Sequence, residues 1–191
     1  MGSQISGYAA RFNDVTTIGN DFRERIAPGA FRRTLIDNPD VVIVLDHDTG
    51  RVLGRVSSGT LSLREDGIGL YFSVEVDPTT PEGQTAIGTV GRRDIKGCSF
   101  SFGVREESWQ DDGDRLPLRT LEDIDLWEIT LTAFPAYETT SASLSTRSVP
   151  AKPAVSTTAA AVPLSDAAFA VRKAADLRQR TMEMKLRGML V

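Results

Sequence analysis

One histidine and one cysteine occur in the whole chain, so the range of chemistry open to it is narrow. The single Cys98 excludes an intramolecular disulfide and a cysteine-built zinc cage, and the single His47 excludes every two-histidine metal motif. His47 stands between Asp46 and Asp48 at the end of the run Val41-Val42-Ile43-Val44-Leu45. An unperturbed imidazole titrates near pH ~6.5, which suits a general base; a histidine satisfied in the core or at the surface is the plainer reading. Ser99 lies in Lys96-Gly97-Cys98-Ser99-Phe100-Ser101-Phe102. Strand alternation places Ser99 and Ser101 on one face and Cys98, Phe100 and Phe102 on the other. A strand serine becomes a nucleophile only with a base in reach, and His47 is the only histidine that can supply it. Gly97 permits close approach of a backbone or substrate. Glu128 is predicted to share a face with Leu126, Thr130 and Thr132, with Trp127, Ile129 and Leu131 opposite. It is either a solvent-facing charge or the group that orients an imidazole.

Positioning these groups falls to a β-rich domain in which short β-type runs alternate with turn signals. The five apolar residues 41–45 predict a strand buried on both faces. Residues 7–12 predict a first strand, and 28–37 a short helical stretch opened by Pro28-Gly29 and ended at Asn38-Pro39. A hairpin is predicted for 52–63 and 68–76 around Asp66-Gly67. A helix follows over 82–90, capped near Thr79 or Thr80. Residues 95–104 and 125–133 predict two further strands, with Asp111-Asp112-Gly113-Asp114 as an exposed loop.

The chain of 191 residues is 40% apolar and 25% charged, an ordinary globular composition. Its net charge of -4 divides into -8 over residues 1–147 and +4 over 148–191. The acidic body argues against phosphate-backbone binding, which makes a nucleic-acid-binding module the least favoured class. No apolar run approaches the ~20 residues of a membrane helix, and the N-terminus has no signal-peptide core, so a soluble protein without a membrane partner is expected. Residues 148–163, rich in Ala, Ser, Thr and Pro, read as a flexible linker. Residues 164–191 read as a basic amphipathic helix, with Leu164, Ala168, Val171, Ala175, Met182, Leu186 and Met189 at helical steps.

Five blocks occur in order: Gly7-Tyr8-Ala9-Ala10 with Phe12; Ile26-Ala27-Pro28-Gly29-Ala30-Phe31; Leu45-Asp46-His47-Asp48 with Leu53-Gly54-Arg55; Gly97 to Phe102; and Leu126-Trp127-Glu128-Ile129-Thr130-Leu131 followed by Pro135-Ala136-Tyr137. In this order and spacing, from about residue 7 to 144, the chain resembles the prohead (capsid maturation) serine proteases of tailed phages, distant relatives of the herpesvirus assemblins.

The resemblance implies an α+β, mostly β architecture: an assemblin-like β-barrel with flanking short helices over 1–147, followed by the linker and the helical tail. It implies Ser99 as nucleophile and His47 as base. Herpesvirus relatives place a second histidine third. This chain has none, so the orienting group is a carboxylate or is missing, and Glu128 matches the acidic position of the phage motif. Asp46 and Asp48, chain neighbours of His47, are poorer candidates. The family often has glycine where this chain has Ser101, which leaves Ser101 as an alternative nucleophile, although the spacing after Gly97 favours Ser99. Backbone N–H groups or one of the arginines would serve as oxyanion hole. The implied activity is that of a serine endopeptidase needing no metal or cofactor. Its substrates would be the major capsid protein and a scaffold or delta segment, cut by a homo-oligomer inside the assembling procapsid in the host cytoplasm. The alternative is a catalytically inactive assembly scaffold or chaperone on the same fold. The tail is expected to be a targeting or regulatory appendage released by self-cleavage in or near the linker, against the alternative of a helix packed on the barrel.

Overall fold

A computed structural model of the chain describes residues 3–37 and 40–145, so the expected linker and helical tail lie outside the described residues. In chain order the elements are β1 (Ser3–Arg11), β2 (Thr16–Ile18), β3 (Phe22–Ile26), α1 (Arg32–Asp37), β4 (Val42–Leu45), β5 (Asp48–Arg55), β6 (Leu61–Glu65), β7 (Gly69–Val76), α2 (Pro81–Gly91), β8 (Gly97–Asp112), β9 (Arg115–Thr132) and β10 (Ser143–Ser145). The expected run 41–45 becomes β4, and the expected helix 82–90 becomes α2. Pro81 stands at the start of α2, and Thr80 caps it by accepting the Gly83 N–H at 3.1 Å. The run expected over 52–63 is broken. β5 ends at Arg55, and β6 alone forms the hairpin with β7. There Asp66 Oδ1 accepts the Ile68 and Gly69 N–H groups at 2.9 and 3.2 Å.

The strands form two sheets. One is β10-β1-β7-β6; the other is β2-β3-β9-β4-β5, with β8 antiparallel along the other edge of β9. β3 and β4 both pair parallel to β9, at its first and second halves. Phe31, Phe72, Ile5, Ile26, Ile43, Leu121, Ile124 and Ile129 are fully buried, and each such side chain contributes about 1.5–3 kcal/mol. α1 is tied to β9 by Arg33, which forks onto Asp123 at 2.7 and 2.9 Å and reaches Asp125 at 2.8 Å.

The expected closed β-barrel is corrected here: among the described residues no ladder joins the two sheets. The seam between β1 and β8 is filled by residues 140–142 instead. Ser141 N–H donates to Tyr8 O at 2.9 Å, Tyr8 N–H to Ser141 Oγ at 3.0 Å, Ala142 N–H to Lys96 O at 2.8 Å, and Cys98 N–H to Thr140 Oγ1 at 3.0 Å. The bonds that would close a barrel are spent on this segment. Its approach is so close that a Cβ on Gly7 would lie 1.9 Å from Ser141 O.

A second correction concerns Leu126, expected on the face of Glu128. Ser101 pairs with Glu128 but Phe102 pairs with Leu126, so Trp127 is an extra residue on β9. Such a β-bulge reverses the parity of everything beyond it. Leu126 and Ile124 therefore enter the core, fully buried, while Glu128, Thr130 and Thr132 stay on the opposite face.

A candidate catalytic face on β8, β9 and the β4–β5 turn

The site is built on the second half of β9, between β8 and β4. Ser99 is opposite Thr130 and Ser101 opposite Glu128, so these four side chains share one face, while Cys98, Phe100, Ile129 and Leu131 fill the core behind them. On the other edge of β9, Val42 pairs with Glu128 and Val44 with Thr130. β4 ends in a two-residue turn into β5, with Leu45 opposite Asp48. Asp46 and His47 at its corner have φ of 50° and 56°, the left-handed pair of a type I′ hairpin, which most often carries Asn-Gly. Two non-glycine residues there are strained, and such strain persists only where the surroundings enforce it.

Two bonds from β9 do so. Asp46 N–H donates to Leu131 O at 3.1 Å, and His47 N–H donates to Thr130 Oγ1 at 2.8 Å. Thr130 is fully buried, and its hydroxyl donates onward to Val44 O at 3.3 Å. The imidazole is thereby laid over β9, where His47 Nδ1 meets Glu128 Oε1 at 2.6 Å. Ser101 Oγ donates to the same Oε1 at 3.0 Å and lies 3.5 Å from Nδ1. A carboxylate on Nδ1 fixes the tautomer with the proton on that nitrogen, leaving the lone pair on Nε2.

Of the three carboxylates near His47, Glu128 is the one on the ring. Asp46 is turned toward Arg51, 4.0 Å away, and Asp48 Oδ1 accepts the Gly50 N–H at 2.8 Å. Glu128 is buried, the His47 side chain is 25% exposed, and Ser99 is half-buried. The carboxylate is thus shielded while the hydroxyl and the imidazole edge remain open to an incoming chain. No hydrogen bond joins Ser99 Oγ to the imidazole in this arrangement. Beyond Ser99, Gly97 lies beneath Pro135 and Thr140, where a Cβ would come within 2.9 Å of Pro135 Cγ and 2.8 Å of Thr140 Oγ1.

Sequence reasoning placed Ser99, His47 and Glu128 in contention, and the fold brings all three to one face of β9. It had no role for Thr130, although period-two counting already set that residue on the face of Glu128. A second buried carboxylate, Glu24, lies apart from this face. It accepts a hydrogen bond from the Tyr137 hydroxyl and pairs with Arg119 at 3.0 Å. Burial still raises its pKa above the usual carboxylate range.

The sequence matches the family described as caudovirus prohead serine protease over residues 1–154. The chain belongs to that family. No individually curated protein matches it. Among solved structures, it is similar to Kaposi's sarcoma herpesvirus protease in complex with a hexapeptide phosphonate inhibitor, at 11% identity and a TM-score of 0.45, covering 76% of this chain and 65% of that one. It is also similar to varicella-zoster virus protease, at 14% identity and a TM-score of 0.46, covering 77% of this chain and 65% of that one. The prohead protease family is thus assigned by sequence across the whole described region, including every residue of the candidate face.

Proposed function

We propose that the chain is a serine endopeptidase that cleaves capsid or scaffold proteins, and itself, during procapsid maturation. Ser99 attacks the scissile carbonyl. His47 Nε2 takes the serine proton and returns it to the leaving amine, while Glu128 holds the Nδ1 proton and stabilises the imidazolium. The 2.6 Å contact between His47 and Glu128, on the face that carries Ser99, supports this reading most directly. Family membership supports an assembling procapsid in the host cell as the setting, with the major capsid protein and a scaffold or delta segment as substrates for a homo-oligomer. Self-cleavage in or near residues 148–163 would release the basic tail.

The test is incubation of the purified full chain with its capsid or scaffold partner, with mass spectrometry of both. Wild type cuts the partner. Ser99→Ala and His47→Ala each abolish the cut while melting within a few degrees of wild type, because the two side chains act as one chemical unit. Normal processing by Ser99→Ala would overturn the assignment, and an inert scaffold on the same fold would give no cut from any version. Intact tails in wild type that still cuts its partner would refute the self-release alone.

A further inference from the structure

Ser101 is not absorbed by the mechanism above, yet its hydroxyl stands against both groups that the mechanism pairs. It is 8% exposed, beside a Glu128 that is 7% exposed. Its O–H donates to Glu128 Oε1 at 3.0 Å, and that same oxygen receives the Nδ1 proton of His47 at 2.6 Å. A serine hydroxyl has one proton to give, and a carboxylate can only accept. The Ser101 proton therefore goes to Glu128. The imidazole nitrogen that Ser101 approaches, at 3.5 Å, is the one that already carries a proton and cannot act as its base. With the proton on Nδ1 the imidazole offers Ser101 no base, and the bond to the carboxylate is the chemical role left to its hydroxyl.

We infer that Ser101 is a positioning residue: its hydroxyl anchors the Glu128 carboxylate and shares the charge on Oε1, and so sets how strongly that carboxylate favours the imidazolium form of His47. The inference rests on the proposed role of His47 as base. Glutamate has three side-chain torsions to hold, and one bond from the imidazole does not fix them all. A second donor from the neighbouring strand does. A donor on Oε1 also withdraws negative charge from the contact with Nδ1, and a carboxylate without it stabilises the imidazolium more. The other charged groups around the ring are Asp46 and Asp48 on either side of it in the turn and Arg51 from β5, which reaches Asp46. β8 presents only the uncharged Ser99 and Ser101. Ser101 Oγ bonds Glu128 at 3.0 Å and stands 3.5 Å from His47 Nδ1, so a change at Ser101 reaches the imidazole chiefly through the shorter of the two contacts, the one to the carboxylate.

Because the chain has one histidine, imidazole NMR reports His47 without assignment ambiguity and without any need for substrate. In the full-length chain, Ser101→Ala should move the imidazole titration upward relative to wild type, the direction expected when a carboxylate neighbour regains charge. Ser101→Thr, which keeps the hydroxyl, should titrate like wild type. The acid limb of kcat/KM on a peptide substrate should shift with the NMR curve, and kcat should fall about tenfold in Ser101→Ala, as for a loosened catalytic geometry. Thermal melting shows that each variant is folded. Superimposable titrations of folded Ser101→Ala and wild type would overturn the inference. So would a fluorophosphonate adduct mapped to Ser101 instead of Ser99. An adduct at Ser99 with unchanged titrations would leave the proposed function standing and remove only the role of Ser101. A shifted titration in a chain that forms no adduct would do the opposite.

Discussion

The anchoring of the β4–β5 turn by Thr130 can be tested at a single atom. In Thr130→Val the side chain keeps its shape and its branched β-carbon, so no cavity opens at this fully buried position. Both bonds of the hydroxyl disappear, the one from His47 N–H at 2.8 Å and the one to Val44 O at 3.3 Å. A buried donor left without its partner costs about 1–3 kcal/mol, and in a domain of this size each kcal/mol lowers Tm by about 2–4 °C. The activity should fall further than that loss implies. Asp46 and His47 sit in left-handed backbone at 50° and 56°, which costs a non-glycine residue about 1–2 kcal/mol. With one of its two tethers to β9 gone, the turn relaxes and the imidazole moves. A displacement of ~1 Å can cost about a hundredfold in rate, so kcat/KM should drop about 10- to 100-fold. Thr130→Ser keeps the hydroxyl and loses one methyl group, at about 0.5–1.5 kcal/mol, and should retain most of the activity. The assay is urea unfolding beside steady-state kinetics on one peptide substrate. Wild-type kcat/KM from a destabilised Thr130→Val would show that the turn does not need this tether. Equal damage from Thr130→Ser would show that methyl packing, not the hydroxyl, holds the site.

Gly97→Ala should destabilise the domain by about 1–3 kcal/mol through overpacking, because its Cβ would meet Thr140 Oγ1 and Pro135 Cγ at 2.8 and 2.9 Å. It should also lower kcat/KM, since the displaced Thr140 holds Cys98 N–H, next to Ser99; thermal melting and kinetics on the same sample check both. Glu24→Gln tests the buried carboxylate. With its pKa raised by burial, Glu24 contributes stability below its unfolded value that is lost as pH rises through the folded value. Denaturant titrations from acid to neutral pH should therefore show the glutamine variant gaining on wild type as pH rises, and a constant difference would refute the raised value.

What the sequence made legible depended on whether the signal was local. The run at 41–45 reads as a strand because both of its faces are buried. The alternation across Ser99 and Ser101 survives because β8 is regular there. The turn that aims His47 is not legible, since Asp46-His47 lacks the Asn-Gly signature of its type, and the tether that makes it possible lies 83 residues away on Thr130. Leu126 was placed on the wrong face because a bulge is a property of pairing, and counting along β9 alone cannot show the extra Trp127. β2 and β3 were missed as short, partly polar strands of three and five residues, and the parallel partner of β3 lies far along the chain on β9. The strands expected at 95–104 and 125–133 were found but cut short. The continuation of β8 to the acidic tip is held by strand pairing and not by burial, so it leaves no apolar pattern; that of β9 carries buried Leu121 and Ile124, whose three-residue step does not read as a strand. The open barrel follows from residues 140–142, whose bonding to Tyr8, Lys96 and Cys98 no periodicity announces.

The order in which the ribosome makes this face has its own effect. His47 is synthesised 81 residues ahead of Glu128, and β1 waits for residues 143–145 to give it an edge partner. At about 5–20 residues per second, the imidazole precedes its carboxylate by about 4–16 s. During that interval β4 has no parallel neighbour, because its neighbour β9 is the last long strand to emerge. Under the proposed function, each copy is therefore inert until β9 has emerged. Its chemistry switches on with the arrival of a single strand that completes the sheet and the catalytic face in the same step.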